Sequence, residues 1–254
     1  MLSREQRIQL FMSLFRGRED VFARRFEKWN KSIAGYAPAY IGHDKEHFQV
    51  LTAEWVEKHL LGTSTLGIYP LLPDNTCYFI AVDFDGDGWE KATLALVTMF
   101  KKYSIPIAIE RSRSGNGAHA WCFFTESYSA AKARKIFLSL LREAKILDEY
   151  ERDESYDRLF PSQDFLSGKG LGNLIALPLQ GIPRKSGNSL FTSQNTPWLA
   201  TGMNAQRESG GGRGTTLGSP WRRAPSFARV ENREVLKMRY LVRLRRGSSF
   251  ATIN

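Results

Sequence analysis

The spacing of apolar residues along the chain changes near residue 76. Before that point they recur every three or four positions, which predicts helices over residues 3–15, 18–30 and 53–61. Ser3 and Gln6 have the spacing of a capping box for the first helix, and Thr52 and Gly62 are expected to begin and end the third. Residues 1–75 are therefore predicted to form a mainly helical α/β subdomain.

Beyond residue 76, strand patterns alternate with helix patterns. Strands are predicted at 77–84, 106–111, 118–124 and 173–179, and helices at 90–103 and 129–145. This β-α-β-β-α-β order is that of the split βαβ or RRM-like unit, in which the first and third strands are central neighbours and the fourth flanks the first. The predicted fold class is α+β, with residues 76–192 forming an RRM-like palm sheet.

The net charge of +10 is distributed unevenly over the 254 residues. Residues 1–192 hold 25 basic and 23 acidic side chains, whereas residues 193–254 hold 11 basic and 3 acidic ones. Because the main body is nearly neutral, its charge is no argument for a nucleic-acid partner, and any such function must be argued from motifs.

Several function classes are disfavoured by simple counts. No apolar run approaches the roughly 18 residues of a membrane span, and the N-terminus lacks the shape of a secretory signal. Cys77 and Cys122 both stand in apolar, strand-like runs and are predicted to be inert buried thiols. A cytoplasmic protein without a membrane partner is expected.

The first candidate site is the segment AVDFDGDGW, where a predicted strand ends in aspartates. Asp83 and Asp85 are two residues apart, so on a strand both carboxylates point to the same face. Their mutual repulsion is relieved by a divalent cation, and hard oxygen ligands suit Mg²⁺ or Mn²⁺. A calcium loop of the EF-hand type is a rival interpretation, but its twelfth position is Leu94 and a strand precedes it.

The second candidate site is the glycine-rich turn SRSGNGAH. Gly115 and Gly117 leave backbone N–H groups free to face an anion, and Arg113, Ser114 and His119 add donors around them. Such a turn alone is most often only a hairpin. Its expected position beside the Asp83 strand favours a role in binding a triphosphate.

A third carboxylate is expected to complete a metal site. Asp164 is the first choice because it precedes the strand that was predicted to flank the first one, and Asp157 is its competitor. Three further cations are candidates for phosphate contacts, although each singly also fits a solvated surface charge: Lys169, Arg184 and Lys185.

Together these segments resemble the archaeo-eukaryotic primase superfamily. A hydrophobic-Asp-x-Asp motif, a small-x-His motif on a following strand and an aspartate ahead of an apolar strand occur in the family's order. The segments FRGREDVFARRFEKW, GIYPLL, AVDFDGDGW, ERSRSGNGAHAWCFF and GNLIALPLQ closely resemble the primase-like domain of bacterial TOTE conflict systems, over roughly residues 10–191. Gly117 stands where the small residue of the second motif is often serine.

The resemblance implies a function and a set of site residues. It implies a DNA primase-polymerase that transfers nucleotides by two-metal catalysis, with Asp83, Asp85 and Asp164 as metal ligands and Ser114 and His119, helped by Arg113, on the triphosphate. The implied partners are a single-stranded or primed DNA template, nucleoside triphosphates and a helicase or nuclease encoded nearby. Trp89 and Trp121 are candidates for stacking on template bases, with a core role favoured for Trp121.

Two other functions remain open at this stage. One is an RRM-like module that binds nucleic acid without chemistry, which predicts aromatic side chains free to stack on the central strands. The other is a metal-dependent nuclease, which explains the carboxylates but leaves the glycine-rich turn without a task.

Residues 193–254 depart from the family pattern. They contain ten arginines, one lysine and many glycines and serines. One interpretation is a disordered, basic arm that binds nucleic-acid backbones. The other is a shifted reading frame beyond codon 192, and the abrupt change of composition slightly favours it.

Overall fold

The computed structural model describes residues 2–27, 33–42, 45–148, 152–168 and 170–192. The chain is a mixed α/β protein with two four-stranded antiparallel sheets. Its elements are α1 (Arg4–Leu14), β1 (Ala23–Glu27), β2 (Ala34–Pro38), α2 (Ala53–Leu61), β3 (Leu66–Ile68), β4 (Thr76–Asp85), α3 (Trp89–Lys102), β5 (Ala108–Arg111), β6 (Gly117–Ser129), α4 (Ala130–Glu143), β7 (Tyr156–Phe160), β8 (Ile175–Ala176) and α5 (Gly181–Arg184). The basic tail over residues 193–254 lies outside the described residues.

Helices α1 and α2 begin and end where their capping residues predict. Ser3 Oγ accepts a hydrogen bond from the Gln6 backbone N–H, and Gln6 Oε1 accepts one from the Ser3 backbone. Thr52 caps α2, and Gly62 ends it in the left-handed conformation at φ 88°. The first and third predicted helices are thus confirmed.

The second predicted helix, over residues 18–30, is wrong. Residues 23–27 form strand β1, which pairs with β2 on one side and β3 on the other. Phe22 and Phe26 are four residues apart, and that spacing returns to one face in a helix and also in a strand. Phe22 packs on Trp55 of α2, and Phe26 lies against Gly35 across the β1–β2 pair. The spacing of Phe22 and Phe26 fits a helix as well as a strand, and the pairing of β1 with β2 and β3 makes the segment a strand.

The last predicted strand, over residues 173–179, is also corrected. Only Ile175 and Ala176 are in strand conformation, and they pair with β3 in the first sheet, whose order is β2-β1-β3-β8. One segment of the predicted palm region thus belongs to the sheet of the N-terminal part.

The second sheet has the order β5-β6-β4-β7. The predicted pairing of its first and third strands is confirmed by β4 and β6, which lie side by side. The strand that flanks β4 is β7, which was not among the strands predicted from the sequence. Two charged residues, Asp157 and Arg158, interrupt its apolar pattern, so the strand is apparent only from its pairing with β4.

The two faces of the second sheet support separate hydrophobic clusters. Ile80, Val82 and Phe84 of β4 face helices α3 and α4. Phe79 and Ala81 face the other way, towards Phe11 and Phe15 of α1. Because side chains alternate along a strand, Asp83 and Asp85 continue the face of Phe79 and Ala81.

The end of the described chain runs along the open edge of β5. The Arg111 backbone N–H donates to Leu190 O at 2.9 Å, and the Thr192 N–H donates to Ile109 O at 2.8 Å. An isolated bridge between Glu110 and Phe191 lies between these bonds. Residues 189–192 therefore cover a sheet edge next to the glycine-rich turn.

Buried His59 joins α2 to β3 and to the segment that follows β8, and its pKa leads to a pH-dependent prediction. Its Nδ1 accepts from the Leu66 N–H at 3.1 Å, so Nε2 carries the proton and donates to Pro178 O at 2.8 Å. Burial lowers the pKa of His59 to about 4. Its contribution to folding is therefore complete above the unfolded pKa of about 6.5 and is lost as the pH falls towards 4.

Between pH 7.5 and 5.5 the wild-type protein is expected to lose about 1 kcal/mol more stability than the His59→Gln variant. Urea unfolding of both proteins at the two pH values measures the difference. Groups common to both proteins cancel, so equal losses would contradict a neutral buried His59.

Candidate functional site

Strand β4 ends in two aspartates, Asp83 and Asp85, which form its acidic end. They lie on the same face of the strand as the apolar residues Phe79 and Ala81. Phe79 and Ala81 are fully buried on this face, Asp83 is only partly exposed, and Asp85 is exposed. After Asp85 only Gly86, Asp87 and Gly88 precede α3. That connection is too short for a twelve-residue calcium loop, which removes the EF-hand interpretation.

His119 of β6 stands directly opposite Asp83 in the antiparallel register. Its Nε2 lies 3.4 Å from Asp83 Oδ1, and its side chain is 13% exposed. Gly117 is the register partner of Asp85. The predicted adjacency of the Asp83 strand and the His119 strand is thereby confirmed.

Glu110 of β5 contacts the imidazole of His119 at Nδ1, on the side of the ring away from Asp83. Its Oε2 lies 2.9 Å from His119 Nδ1 and accepts from Trp121 Nε1 at 3.1 Å, while Oε1 accepts from Ser189 Oγ at 3.1 Å. Glu110 is 1% exposed, so its charge depends on these partners. Glu110 was not predicted as a site residue, because its only signal in the sequence is an acidic residue at the end of the apolar run PIAIE.

The charges in this group shift the pKa values of two neighbours. Burial alone would lower the pKa of His119, but the charge of Glu110, its hydrogen bond and the charges of Asp83 and Asp85 raise it to about 9. Burial raises the pKa of Asp83; His119 opposes the rise, and Asp157 and Asp85 add to it. With a pKa of about 9, His119 is protonated at neutral pH and lies between the carboxyl groups of Glu110 and Asp83.

The glycine-rich turn closes over the end of β6. Arg111 donates from Nε and Nη2 to Gly115 O, and Ser114 Oγ accepts from the Asn116 N–H and lies 3.0 Å from Ser112 Oγ. The Gly86 N–H donates to Asn116 O at 3.0 Å, which ties the turn to the residue after Asp85.

Two glycines of this turn have no room for a side chain. A Cβ at Gly115 would lie 2.7 Å from Asn188 Oδ1, and Gly115 also has φ 83°. A Cβ at Gly117 would lie 2.3 Å from Phe84 O, so β6 approaches β4 too closely for any side chain at this position. Glycine at 117 therefore sets the position of the acidic end relative to the turn.

Asp157 lies beside the acidic end, at an irregular point of β7. Asp83 pairs with Arg158 and Phe84 pairs with Tyr156, so Asp157 is the extra residue of a bulge. Its Oδ2 accepts from Arg158 Nε at 2.7 Å, which puts the carboxylate next to the register partner of Asp83. The Asp85 N–H donates to Ser155 O at 2.7 Å, so the start of β7 runs beside Asp85 as well.

A sequence model of the archaeo-eukaryotic primase domain of the TOTE conflict system matches residues 6–201, more than half of the chain. The chain belongs to this family. The match includes both sheets and every residue of the site described above. No curated protein matches the chain.

The position of Asp164 in this primase domain corrects the prediction that it joins Asp83 and Asp85. Arg134 Nε donates to Asp164 Oδ1 at 2.6 Å, and nearby the Leu166 N–H donates to Asn75 Oδ1. Asn75 precedes β4, eight residues before Asp83, which is about 26 Å along a strand. Asp164 belongs to the opposite end of the sheet because it follows β7, whereas the strand expected after it pairs elsewhere.

The remaining predicted residues have separate positions. Arg113 Nη1 donates to Gln180 Oε1 at 2.9 Å, on the turn side of the site. Arg184 Nη2 donates to Leu60 O at the end of α2, Lys185 is exposed, and Lys169 lies outside the described residues. Trp89 and Trp121 are both buried, which leaves neither available for stacking on bases.

The donors at the acidic end fit a hard divalent cation by their chemistry. Asp83 and Asp85 offer carboxylate oxygens. Burial raises the pKa of Asp83, the charges of Asp157 and Asp85 add to the rise, and a bound cation would favour the ionised carboxylate against both effects. Within the part of the chain that the structure describes, no three such side chains already surround a common point. In the same part, no helix is both long and apolar enough to cross a membrane.

Replacing Glu110 by glutamine is expected to lower the pKa of His119 from about 9 towards 6.5, because the charge that holds the imidazolium is removed. The stabilisation by this pair is complete below pH 6.5 and is lost as the pH rises through about 9. Titration of the His119 Hε1 signal by NMR, in protein without added metal, measures the midpoint.

Ser189→Ala is the matched control, since it removes one hydrogen bond to Glu110 but leaves its charge. In this control the pKa of His119 is expected to keep most of its rise above the ordinary value. A midpoint that is the same in Glu110→Gln and wild type would contradict the assigned role of Glu110.

Proposed function

We propose that the protein is a DNA primase-polymerase that transfers nucleotides from nucleoside triphosphates to a growing strand under the direction of a template. Membership of a primase family supports nucleotidyl transfer as the reaction class. The observation that carries the proposal is the register of β4 and β6, which brings two carboxylates against the imidazole and the glycine-rich turn.

We infer further that the second sheet is an RRM-like palm. Its elements follow as β4-α3-β5-β6-α4-β7, and its strand order is β5-β6-β4-β7. Both helices pack on one face, against Ile80, Val82 and Phe84. That order and layering are those expected of the split βαβ unit.

The proposed cofactor is Mg²⁺ or Mn²⁺, held by Asp83 and Asp85 with Asp157 as the third carboxylate. Support for Asp157 comes from the bulge in β7 and from the effect of its charge on the pKa of Asp83. When bound, such cations neutralise charge on the attacking and leaving oxygens of nucleotidyl transfer.

The protein's own groups are assigned to the triphosphate. Because Glu110 occupies Nδ1 of His119, the proton on Nε2 is the one available to a phosphate oxygen. Ser114 and Arg113 add a hydroxyl and a guanidinium from the turn, and Gly115 and Gly117 allow its backbone to come close. These groups position the nucleotide and offset its charge, which supplies most of the catalysis in phosphoryl transfer.

A purely binding RRM-like module is disfavoured by the covered face of the second sheet. Such modules stack bases on aromatic side chains of the central strands. Here the aromatic residues of that face, Phe79, Trp121 and Phe123, are buried against Phe15 of α1. The proposed partners are a single-stranded or primed DNA template, nucleoside triphosphates and a helicase or nuclease encoded nearby.

Extension of a labelled primer, and synthesis without a primer on single-stranded template, tests the proposal in Mg²⁺ and in Mn²⁺. The wild-type chain is expected to lengthen the primer, and the Asp83→Ala, Asp85→Ala double variant to lose at least about 100-fold of that rate. Shortening of the DNA in place of lengthening would favour a nuclease. Equal rates in the two proteins would contradict the proposed site.

The same assay separates the two candidates for the third carboxylate. Asp157→Asn is expected to reduce extension by at least about 100-fold, since it removes charge beside Asp83. Asp164→Asn breaks an ion pair whose carboxylate is 48% exposed, so it is expected to cost less than about 1 kcal/mol of stability and to leave extension near wild type. The reverse result would restore Asp164 to the site.

A further inference from the structure

One face of strand β1 carries polar groups towards the glycine-rich turn. Arg25 and Glu27 are two residues apart on that face, and Tyr36 of β2 is the direct register partner of Arg25. Arg24 points to the opposite face, where its guanidinium lies 4.7 Å from the ring of Trp55. The strand thus separates two neighbouring arginines into different environments.

Arg25 and Arg113 share a single carboxylate. Arg25 Nη1 is ion-paired with Glu27 Oε1, and Arg113 Nη2 lies 4.0 Å from the same oxygen. These three side chains therefore carry two positive charges and one negative charge. They link the first sheet to the glycine-rich turn, which was proposed above to bind the triphosphate.

The hydroxyl of Tyr36 lies in the same region and lacks a hydrogen bond. Its Oη is buried, and although Gln180 is close enough to affect its pKa, no described residue forms a hydrogen bond of normal geometry with it. Burial raises the pKa of Tyr36, with Arg113, Arg25 and Glu110 as its charged neighbours. A buried hydroxyl without a partner is destabilising, and a ligand oxygen that accepts a hydrogen bond from it would remove that cost.

We propose that Arg25 and Tyr36 form a second wall of the nucleotide site and bind the phosphate tail of the nucleoside triphosphate, opposite Ser114 and His119. The inference rests on the proposed function and extends it to the N-terminal sheet. A guanidinium fork matches phosphate oxygens in pairs, and the Tyr36 hydroxyl donates to a third. Glu27 Oε1, the oxygen that both guanidinium groups approach, marks the position proposed for a phosphate oxygen.

The assignment is to free triphosphate and not to the DNA backbone. Arg113 belongs to the glycine-rich turn, and its Nη2 lies 4.0 Å from Glu27 Oε1 while its Nη1 donates to buried Gln180, so this wall adjoins the turn beside His119. A phosphate at this depth belongs to the reacting nucleotide, whereas template phosphates would line an exposed path.

Isothermal titration calorimetry with ATP, dATP and inorganic tripolyphosphate, in Mg²⁺ and without DNA, tests the inference. Arg25→Ala is expected to weaken whichever nucleotide the wild type binds, and tripolyphosphate, by about tenfold or more, and Tyr36→Phe by about threefold or more. Arg24→Ala, the neighbour on the other face, is the matched control and is expected to stay within about twofold of wild type. Arg25→Lys and Tyr36→Phe keep the test decisive if Arg25→Ala does not fold.

The outcomes separate this inference from the proposed function. Wild-type protein that binds no triphosphate would remove both. Wild-type protein that binds triphosphate, with Arg25→Ala and Tyr36→Phe unchanged, would overturn only the second wall. Weakened binding of ATP or dATP with unchanged tripolyphosphate would move Arg25 to the base or sugar, and weakened binding of single-stranded DNA alone would move it to the template; either result overturns the proposal.

Discussion

The buried line of charges from Glu110 through His119 to Asp83 is the interaction on which the rest of the site depends. The line crosses three adjacent strands, β5, β6 and β4, and each side chain on it faces the same side of the sheet. A buried carboxylate left without its partner costs about 3–5 kcal/mol, so this register is favoured over any slip by one residue. Asp83 is the outermost of these three side chains, so one of its carboxylate oxygens remains available to bind a cation.

The packing around this line explains the remainder of the architecture. Helix α1 covers the apolar half of the same face, and the acidic half stays open beyond it. Residues 189–192 cover the β5 edge and deliver Ser189 to Glu110. The first sheet brings Glu27 to within 4.0 Å of Arg113, so its charged face meets the turn. The two sheets therefore adjoin each other at the glycine-rich turn.

Local signals in the sequence were sufficient for some of these features. Capping residues located α1 and α2, and the two-residue spacing of Asp83 and Asp85 placed both carboxylates on one face. Pairing between distant segments was not encoded locally. Phe22 and Phe26 satisfied helix and strand periods alike, and the apolar run 173–179 looked more like a strand of the palm than the charged segment that forms β7.

Because β7 was not predicted, Asp164 was the first choice for a third carboxylate, and Asp157, the carboxylate proposed above, was only its competitor. Glu110 was not predicted for a related reason. The role of a single acidic residue at the end of a strand can be recognised only from its neighbours in the sheet. The motifs shared with the primase family lie on strands β4 and β6, but the bulge at Asp157 and the close approach at Gly117 are apparent only in the three-dimensional structure.

The most direct test of the account is the anomalous scattering of Mn²⁺ in crystals of the protein with a nucleoside triphosphate. The account predicts a peak in contact with Asp83 and Asp85, with Asp157 as the third carboxylate and the phosphates on the side of His119. A peak at Asp164, or Mn²⁺ bound away from Asp83, would contradict it.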